Sequence, residues 1–367
     1  VRKISHHRSD IQSLRAFAVM LVIAGHLFPS IIKGGFIGVD LFFVISGFVI
    51  TLQMSKLYTA NPSTFLREFY SRRIKRILPS ALLVTIASIV ATSYFLGPVA
   101  SNEAKLDGVW TTLFLGNFHF HTMALDYFAT GTQPSPLQHY WSLSIEEQFY
   151  LLWPALFLLL TIKVKTQRVK QIILLSVIVI SLSSALYLAE LKNEPIFFIT
   201  TTRIWELAFG ALLAISAISV RVPKILISLS LGALLLSSIL IAPTMQWPGF
   251  TGIPLVIAAG IILVNNPRLG QAGILNTRFF SYVGDLSYLL YLWHWPIFVI
   301  VKANSFTFGA TEKLSILLLT AVLSVLTHHY FENPIRFSSK SKPQSTIAIG
   351  ISAVAVLSGV LFFTYQG

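Results

Sequence analysis

The chain of 367 residues contains no cysteine. A disulfide-bonded secreted domain is therefore excluded, and so is any acyl transfer routed through a thiol of this chain. Charge is scarce as well: Asp, Glu, Lys and Arg make up 11% of the residues, against roughly a quarter in ordinary soluble proteins. Acidic groups are the scarcest, 14 against 27 Lys and Arg, which leaves a net charge of +13. Apolar residues fill the rest, 54% of the chain, with a mean hydropathy of +0.73. A soluble domain needs a polar shell that this composition cannot supply, so the chain reads as a polytopic membrane protein. In a soluble protein the excess of basic residues would suggest nucleic acid. In a membrane protein it reflects Lys and Arg collecting in cytoplasmic loops, so membrane lipid is the expected partner and nucleic acid is not.

A helix needs about 20 apolar residues to cross a bilayer. Eleven such spans are predicted, at about 11–30, 35–53, 78–97, 146–163, 170–189, 203–219, 224–242, 252–265, 282–301, 313–331 and 345–365. Arg2, Lys3 and Arg8 before the first run resemble a signal-peptide start, but the run is membrane-length and carries polar residues, so it is read as a retained helix. The long connections are 54–77 and 98–145, and no internal repeat is evident, which counts against an inverted-repeat transporter. With the N-terminus in the cytoplasm, twenty Lys and Arg residues fall inside and six outside. That bias predicts a cytoplasmic N-terminus and an outside C-terminus. The expected fold is all-α, one transmembrane domain over 1–367, with 345–367 as its final helix. The segment 64–77, TFLREFYSRRIKRI, is basic and amphipathic, as an interfacial helix on anionic lipid would be.

Ionisable groups inside a membrane are costly and usually face a cavity or a partner. They fall at Arg15 and His26 in the first span, Asp40 in the second, Glu146 and Glu147 in the fourth, Arg203 and Glu206 in the sixth, and His294 in the ninth. Arg15 and His26 share a helix face about 16 Å apart, comparable to the pantetheine arm of coenzyme A. Arg15 would suit a phosphate at the inner end and His26 a reacting group at the outer end. The spacing alone equally admits two unrelated, satisfied polar groups. His26 and Asp40 lie at similar depth on adjacent antiparallel helices, either as an oriented acid–base pair or as a structural ion pair. No metal site is expected, because the pair lacks a third ligand with useful spacing.

The string Trp141-Ser142-Leu143-Ser144-Ile145-Glu146-Glu147-Gln148 opens the fourth span. Ser144 and Glu147 have the spacing of a helix-capping box. Trp141, Glu146 and nearby His139 would suit a sugar-binding cleft or an aromatic belt. Arg203 and Glu206 are three apart, as in an intrahelical ion pair. Tyr291-Leu292-Trp293-His294-Trp295-Pro296 carries an aromatic belt whose histidine the belt does not explain.

Taken in order, these strings resemble the acyltransferase family 3 membrane O-acyltransferases. The resemblance begins with Arg8-x-Asp10-Ile11-Gln12-x-Leu14-Arg15-Ala16 and His26, where Arg15 and His26 have the family's spacing of Arg, ten residues, His. It continues through Gly38-Val39-Asp40-Leu41-Phe42-Phe43-Val44-Ile45-Ser46-Gly47-Phe48 and Arg72-Arg73-x-x-Arg76-Ile77-x-Pro79. Trp141-Ser142-Leu143-Ser144-x-Glu146-Glu147-Gln148-Phe149-Tyr150 and Arg203-x-Trp205-Glu206-Leu207 follow. Ser287-Tyr288-x-x-Tyr291-Leu292-Trp293-His294-Trp295-Pro296 and Glu332-Asn333-Pro334-x-Arg336 complete it, so the core motifs cover about 8–336.

The resemblance implies an enzyme of the bacterial cytoplasmic (inner) membrane. It would take an acyl group, commonly acetyl, from cytoplasmic acyl-CoA and pass it to a hydroxyl of a surface carbohydrate such as lipopolysaccharide O-antigen or peptidoglycan. Acetyl-CoA would be the co-substrate, with no metal. The resemblance implies that His26 and Asp40 are the catalytic pair, and that Arg15, Arg72, Arg73 and Arg76 bind the acyl-CoA phosphates. Glu147 would be an essential polar residue by the site, and Trp141, Ser142, Glu146 and His294 are expected to support the acceptor. Many relatives continue into an outer Ser-Gly-Asn-His hydrolase-like domain, and a longer native chain is expected. The rival reading is a transporter or channel for an anionic solute, with the buried arginines as its binding site.

Overall fold

The computed structural model describes residues 8–58, 61–130, 134–190, 196–242, 247–265, 277–338 and 342–366. Arg2, Lys3, Lys192, Arg268 and Lys340, all counted in the charge bias, lie outside the described residues. Fourteen α-helices follow in order among those described. They are α1 (Ser9–Leu27), α2 (Ile37–Leu57), α3 (Pro62–Phe95), α4 (Pro98–Thr112), α5 (Gly116–Thr130), α6 (Tyr140–Lys163) and α7 (Gln167–Glu190). Then come α8 (Ile204–Ile215), α9 (Lys224–Leu240), α10 (Ile253–Val264), α11 (Arg278–Asn304), α12 (Ala310–Thr327), α13 (Asn333–Arg336) and α14 (Pro343–Gln366). Among the described residues no strand forms, only an isolated bridge between Val220 and Asn265.

The helices are those of an all-α multi-pass membrane protein. Eight are long and apolar enough to cross a bilayer. The other three predicted spans are also apolar helices, but shorter: α8, α9 and α10 have 12, 17 and 12 residues. A helix of 12 residues reaches only about 18 Å, against about 30 Å of hydrocarbon.

The predicted interfacial helix at 64–77 does not stand alone. It is the first half of α3, which runs 34 residues with Pro79 inside it. Asn61 sets the start, its side chain accepting from the amides of Ser63 and Thr64 at 3.1 and 3.2 Å, and Pro62 fits the first helical position. The connection 98–145 is also helical, containing α4 and α5.

Contacts divide the chain into two compact units. The first comprises residues 1–53, 162–192 and 201–288. Within it α1 and α2 meet through glycine: a Cβ on Gly38 of α2 would run into the Ala18 carbonyl oxygen of α1. The backbones of α2 and α8 touch too, since a Cβ on Gly47 would lie 1.9 Å from the Leu207 carbonyl oxygen, and one on Gly210 2.1 Å from that of Val44. Small residues allow such approaches between membrane helices. The start of α8 has no side-chain cap of its own. Ser181 of α7 substitutes, its hydroxyl accepting from the Trp205 amide at 3.0 Å and donating to the Thr201 carbonyl at 2.5 Å, which satisfies an otherwise orphaned amide.

The second unit comprises residues 54–161, 193–200 and 289–367. In it α3, α4 and α14 pack together, with Gly108 of α4 against Ile89 of α3 and Leu361 of α14. Lys105 donates to the Thr364 carbonyl at 2.9 Å, tying α4 to the end of α14. Between α12 and α13 the helix widens into one π-turn, His328–Glu332, a distortion that often accompanies function.

Candidate active site

In the first unit, Arg15 and His26 ride on the one continuous helix α1. Arg15 donates to the Gln12 side chain at 3.4 Å. His26 is the next-to-last residue of α1, beside Gly25, which closely approaches Gly35 in the turn ahead of α2. The predicted adjacency of α1 and α2 is present where Gly38 meets Ala18. Asp40 sits in the first turn of α2, where helix amide dipoles favour a carboxylate.

The partners shown for Asp40 are Arg203, Trp247 and the Glu206 carboxyl group. Nη1 of Arg203 lies 3.0 Å from Oδ1 of Asp40 and 3.2 Å from Oε1 of Glu206. Nε1 of Trp247 donates to the same Asp40 oxygen at 3.1 Å. The three ionic side chains are 0–1% exposed. The Arg203 guanidinium lies 5.2 Å from the Phe43 ring centre, and Phe36 meets Trp247 edge-on at 5.2 Å. The intrahelical Arg203–Glu206 pair expected from spacing is thus one side of a larger cluster. Two buried carboxylates share one guanidinium. Desolvated ions are tolerated only with such pairing.

In the second unit the arginine cluster splits. Arg72 is exposed and paired with Glu68 at 3.1 Å. Arg73 turns inward, its guanidinium 5.6 Å from the Tyr150 ring centre and 5.8 Å from that of Phe69. The charges that act on it are those of Arg76, Glu147 and Arg336. Glu147 faces the charges of Arg73, Arg76 and Glu146, and its Oε1 is buried with no hydrogen-bond partner among the described residues. Glu332, in the π-turn, pairs with His328 at 3.2 Å and with Arg336 at 3.1 Å. Arg336 and Glu332 therefore join this cluster, and neither was singled out from the sequence as a site residue.

The remaining candidates form a polar knot in the same unit. The hydroxyls of Ser142 and Tyr291 lie 2.6 Å apart, and Tyr291 donates to the His139 carbonyl at 2.9 Å. A ring nitrogen of His139 contacts the Leu292 carbonyl at 3.0 Å, and Nδ1 of buried His294 contacts that of Tyr291 at 2.6 Å. A carbonyl only accepts, so Nδ1 of His294 carries the proton and Nε2 is its basic nitrogen. Glu146 accepts from the Tyr150 hydroxyl at 3.4 Å.

Trp141 is 6% exposed and packed against Phe197, with ring centres 4.4 Å apart. One expectation is corrected here. Ser144 does not cap a helix: α6 begins at Tyr140, and the Ser144 hydroxyl donates to the Tyr140 carbonyl while accepting from the Gly116 amide.

The fold and these sites define a class: a multi-pass membrane protein with ion clusters buried among its helices. A family model described as "Acyltransferase domain" matches residues 8–329. The chain belongs to that acyltransferase family. It is 31% identical over 381 residues to the O-acetyltransferase OatA of Staphylococcus aureus (strain MRSA252), covering 95% of this chain and 62% of that protein. It is 32% identical over 348 residues to the peptidoglycan O-acetyltransferase OatA of Listeria monocytogenes (serovar 1/2a, strain ATCC BAA-679 / EGD-e), covering 89% of this chain and 55% of that one. The chain thus spans about six-tenths of the length of these curated relatives. No solved structure matches it.

Proposed function

We propose that the chain is a membrane O-acyltransferase that moves an acetyl group from acetyl-CoA, bound from the cytoplasm, to a hydroxyl of a glycan outside the cytoplasmic membrane. The names of the relatives favour peptidoglycan over lipopolysaccharide O-antigen as that glycan. The observation that carries this reading is the family match over residues 8–329, which encloses every site residue expected from the sequence.

In this reading Arg15 holds a phosphate of the donor, and the pantetheine arm runs about 16 Å along α1 toward His26. The acceptor oxygen attacks the thioester carbonyl. A C–O bond forms, the C–S bond breaks, and His26 takes the hydroxyl proton and returns it to the departing thiolate. Asp40 is held by Arg203 and Trp247, which supplies the reading with a fixed carboxylate in the first turn of α2. Arg73 and Arg76 are further phosphate ligands in this reading, and Arg72, exposed and paired with Glu68, contributes least. Glu147 and Glu332 balance those guanidiniums when no anionic donor is present.

The test is transfer of labelled acetyl from acetyl-CoA to glycan in native membranes. His26→Gln keeps a hydrogen-bonding side chain but accepts no proton, so transfer should fall by about 10²–10⁴-fold. Near-normal transfer by that variant would place the base elsewhere. Glycan labelling that does not require acetyl-CoA would overturn the donor.

A further inference from the structure

A second polar cluster lies in the turn from α4 to α5, apart from every group used above. The turn is strained. Phe114 has φ +55°, a left-handed conformation that is an outlier for an aromatic residue. It is held in place, because its carbonyl accepts from the Gln148 side chain at 2.9 Å and the Leu115 amide donates to the Trp110 carbonyl at 2.9 Å. Strain that the surroundings enforce in this way collects at functional sites. Its effect here is to bring Asp107 of α4 against His119 of α5.

Asp107 is 3% exposed. Its Oδ1 lies 2.7 Å from Nε2 of His119, and its Oδ2 accepts from the Ser135 hydroxyl at 2.5 Å. That hydroxyl accepts in turn from the Leu137 amide at 3.0 Å, and the Ser135 carbonyl accepts from Nε1 of Trp295 at 2.8 Å. The protons are thereby assigned. An ionised carboxylate only accepts, so His119 carries its proton on Nε2 and the Ser135 proton points at Asp107. Ser135 is therefore not poised as a nucleophile. In the neutral imidazole the lone pair then falls on Nδ1, which has no protein partner among the described residues. The Trp110 ring lies nearly parallel to the imidazole, at 7° with centres 5.6 Å apart. Trp110 and Phe118 are 37% and 50% exposed.

We infer that His119, fixed by Asp107 and flanked by Trp110, is a recognition site for one hydroxyl of the carbohydrate acceptor. A fixed basic nitrogen accepts a hydroxyl proton, and an aromatic face beside it packs against the apolar face of a sugar ring. The cluster belongs to the 98–145 segment, which the charge bias places opposite the N-terminus, on the side a surface glycan would approach. The inference rests on the acyltransferase reading for its choice of ligand. It assigns His119 to binding and orienting the acceptor, and the chemistry stays with the groups described above.

The experiment uses the full chain in detergent and a soluble glycan-strand fragment of peptidoglycan as the probe, titrated calorimetrically. His119→Gln keeps a donor toward Asp107 and removes the Nδ1 lone pair. The fragment should bind wild-type protein and bind the variant about tenfold more weakly, while acetyl-CoA affinity and melting temperature stay unchanged. In membranes, KM for the glycan should rise with little change in kcat. Trp110→Leu, away from the Asp107 bonds, should weaken the fragment in the same way. Absence of fragment binding to wild-type protein, equal binding by both variants, or a melting loss that parallels the binding loss would each overturn the site. Fragment binding that depends on His119 without any use of acetyl-CoA would leave the site standing and refute the transferase reading instead.

Discussion

Arg203→Met tests the buried ion cluster of the first unit most severely. The substitution keeps a long apolar stem and removes the guanidinium shared by Asp40 and Glu206, at 3.0 and 3.2 Å. Both carboxylates are 0–1% exposed, so neither can recruit water without local opening. Removing one partner of a buried ion pair costs about 3–5 kcal/mol, because the remaining charge is left uncompensated. For cooperative unfolding of a chain this long, that corresponds to a fall of roughly 5 °C in melting temperature. Arg203→Lys should lose less stability, since it retains the charge, but more than a surface exchange would, because an ammonium cannot span two carboxylates as a planar fork does. The triple variant Arg203→Met, Asp40→Asn, Glu206→Gln should recover most of the stability and none of the acetyl transfer. The assays are thermal unfolding of detergent-purified protein and labelled-acetyl transfer at matched expression. An Arg203→Met protein that melts like wild type would refute the claim that these ions depend on one another.

Two further outcomes follow from the geometry. Arg73→Ala combined with Arg76→Ala should weaken acetyl-CoA binding by about 1.5–3 kcal/mol per lost charged hydrogen bond, whereas Arg72→Ala, exposed beside Glu68, should leave it nearly unchanged; equal effects in a calorimetric titration would contradict the split within the cluster. Gly47→Ala should destabilise the protein by at least about 1–3 kcal/mol, because its Cβ would lie 1.9 Å from the Leu207 oxygen, and unaltered thermal unfolding would argue against that backbone contact.

Hydropathy alone located an apolar helix at each of the eleven predicted spans, since lipid-facing length is a property of local composition. It overstated α8, where Ala217 and Ile218 continue the apolar run past the helix end, and ran two residues longer than each of α9 and α10. It also missed the continuity of α3 through Arg72, Arg73 and Arg76, because a basic amphipathic stretch and an apolar one look like separate elements and Pro79, which α3 carries inside it, falls at their junction. The family motifs marked His26, Asp40 and Arg203, but not that Asp40 and Arg203 meet. That contact joins residues 163 positions apart in the chain, and periodicity carries no information across such a gap. A hint was available: within one predicted membrane layer, Asp40 and Glu206 needed a cation, and Arg203 was the one beside them in sequence. The Asp107–His119 pair had no motif at all. It depends on the left-handed turn at Phe114, two residues ahead of Gly116-Asn117, so the residue that takes the left-handed conformation is not the one the sequence would suggest.

The close approach of α2 and α8 also bears on motion. Two helices separated by side chains can slide, because rotamers exchange as the ridges pass. Helices that meet main chain to main chain, as at Gly47 with Leu207 and Gly210 with Val44, have no compressible layer between them. Translation along either axis would drive a carbonyl oxygen into the opposing backbone. The α2–α8 pair should therefore travel as one stiff lever, carrying Asp40 at the start of α2 and Arg203 just ahead of α8 without parting them. Any gating that admits a donor from one side and releases product to the other must then bend the molecule elsewhere, leaving this ion cluster unchanged throughout the cycle.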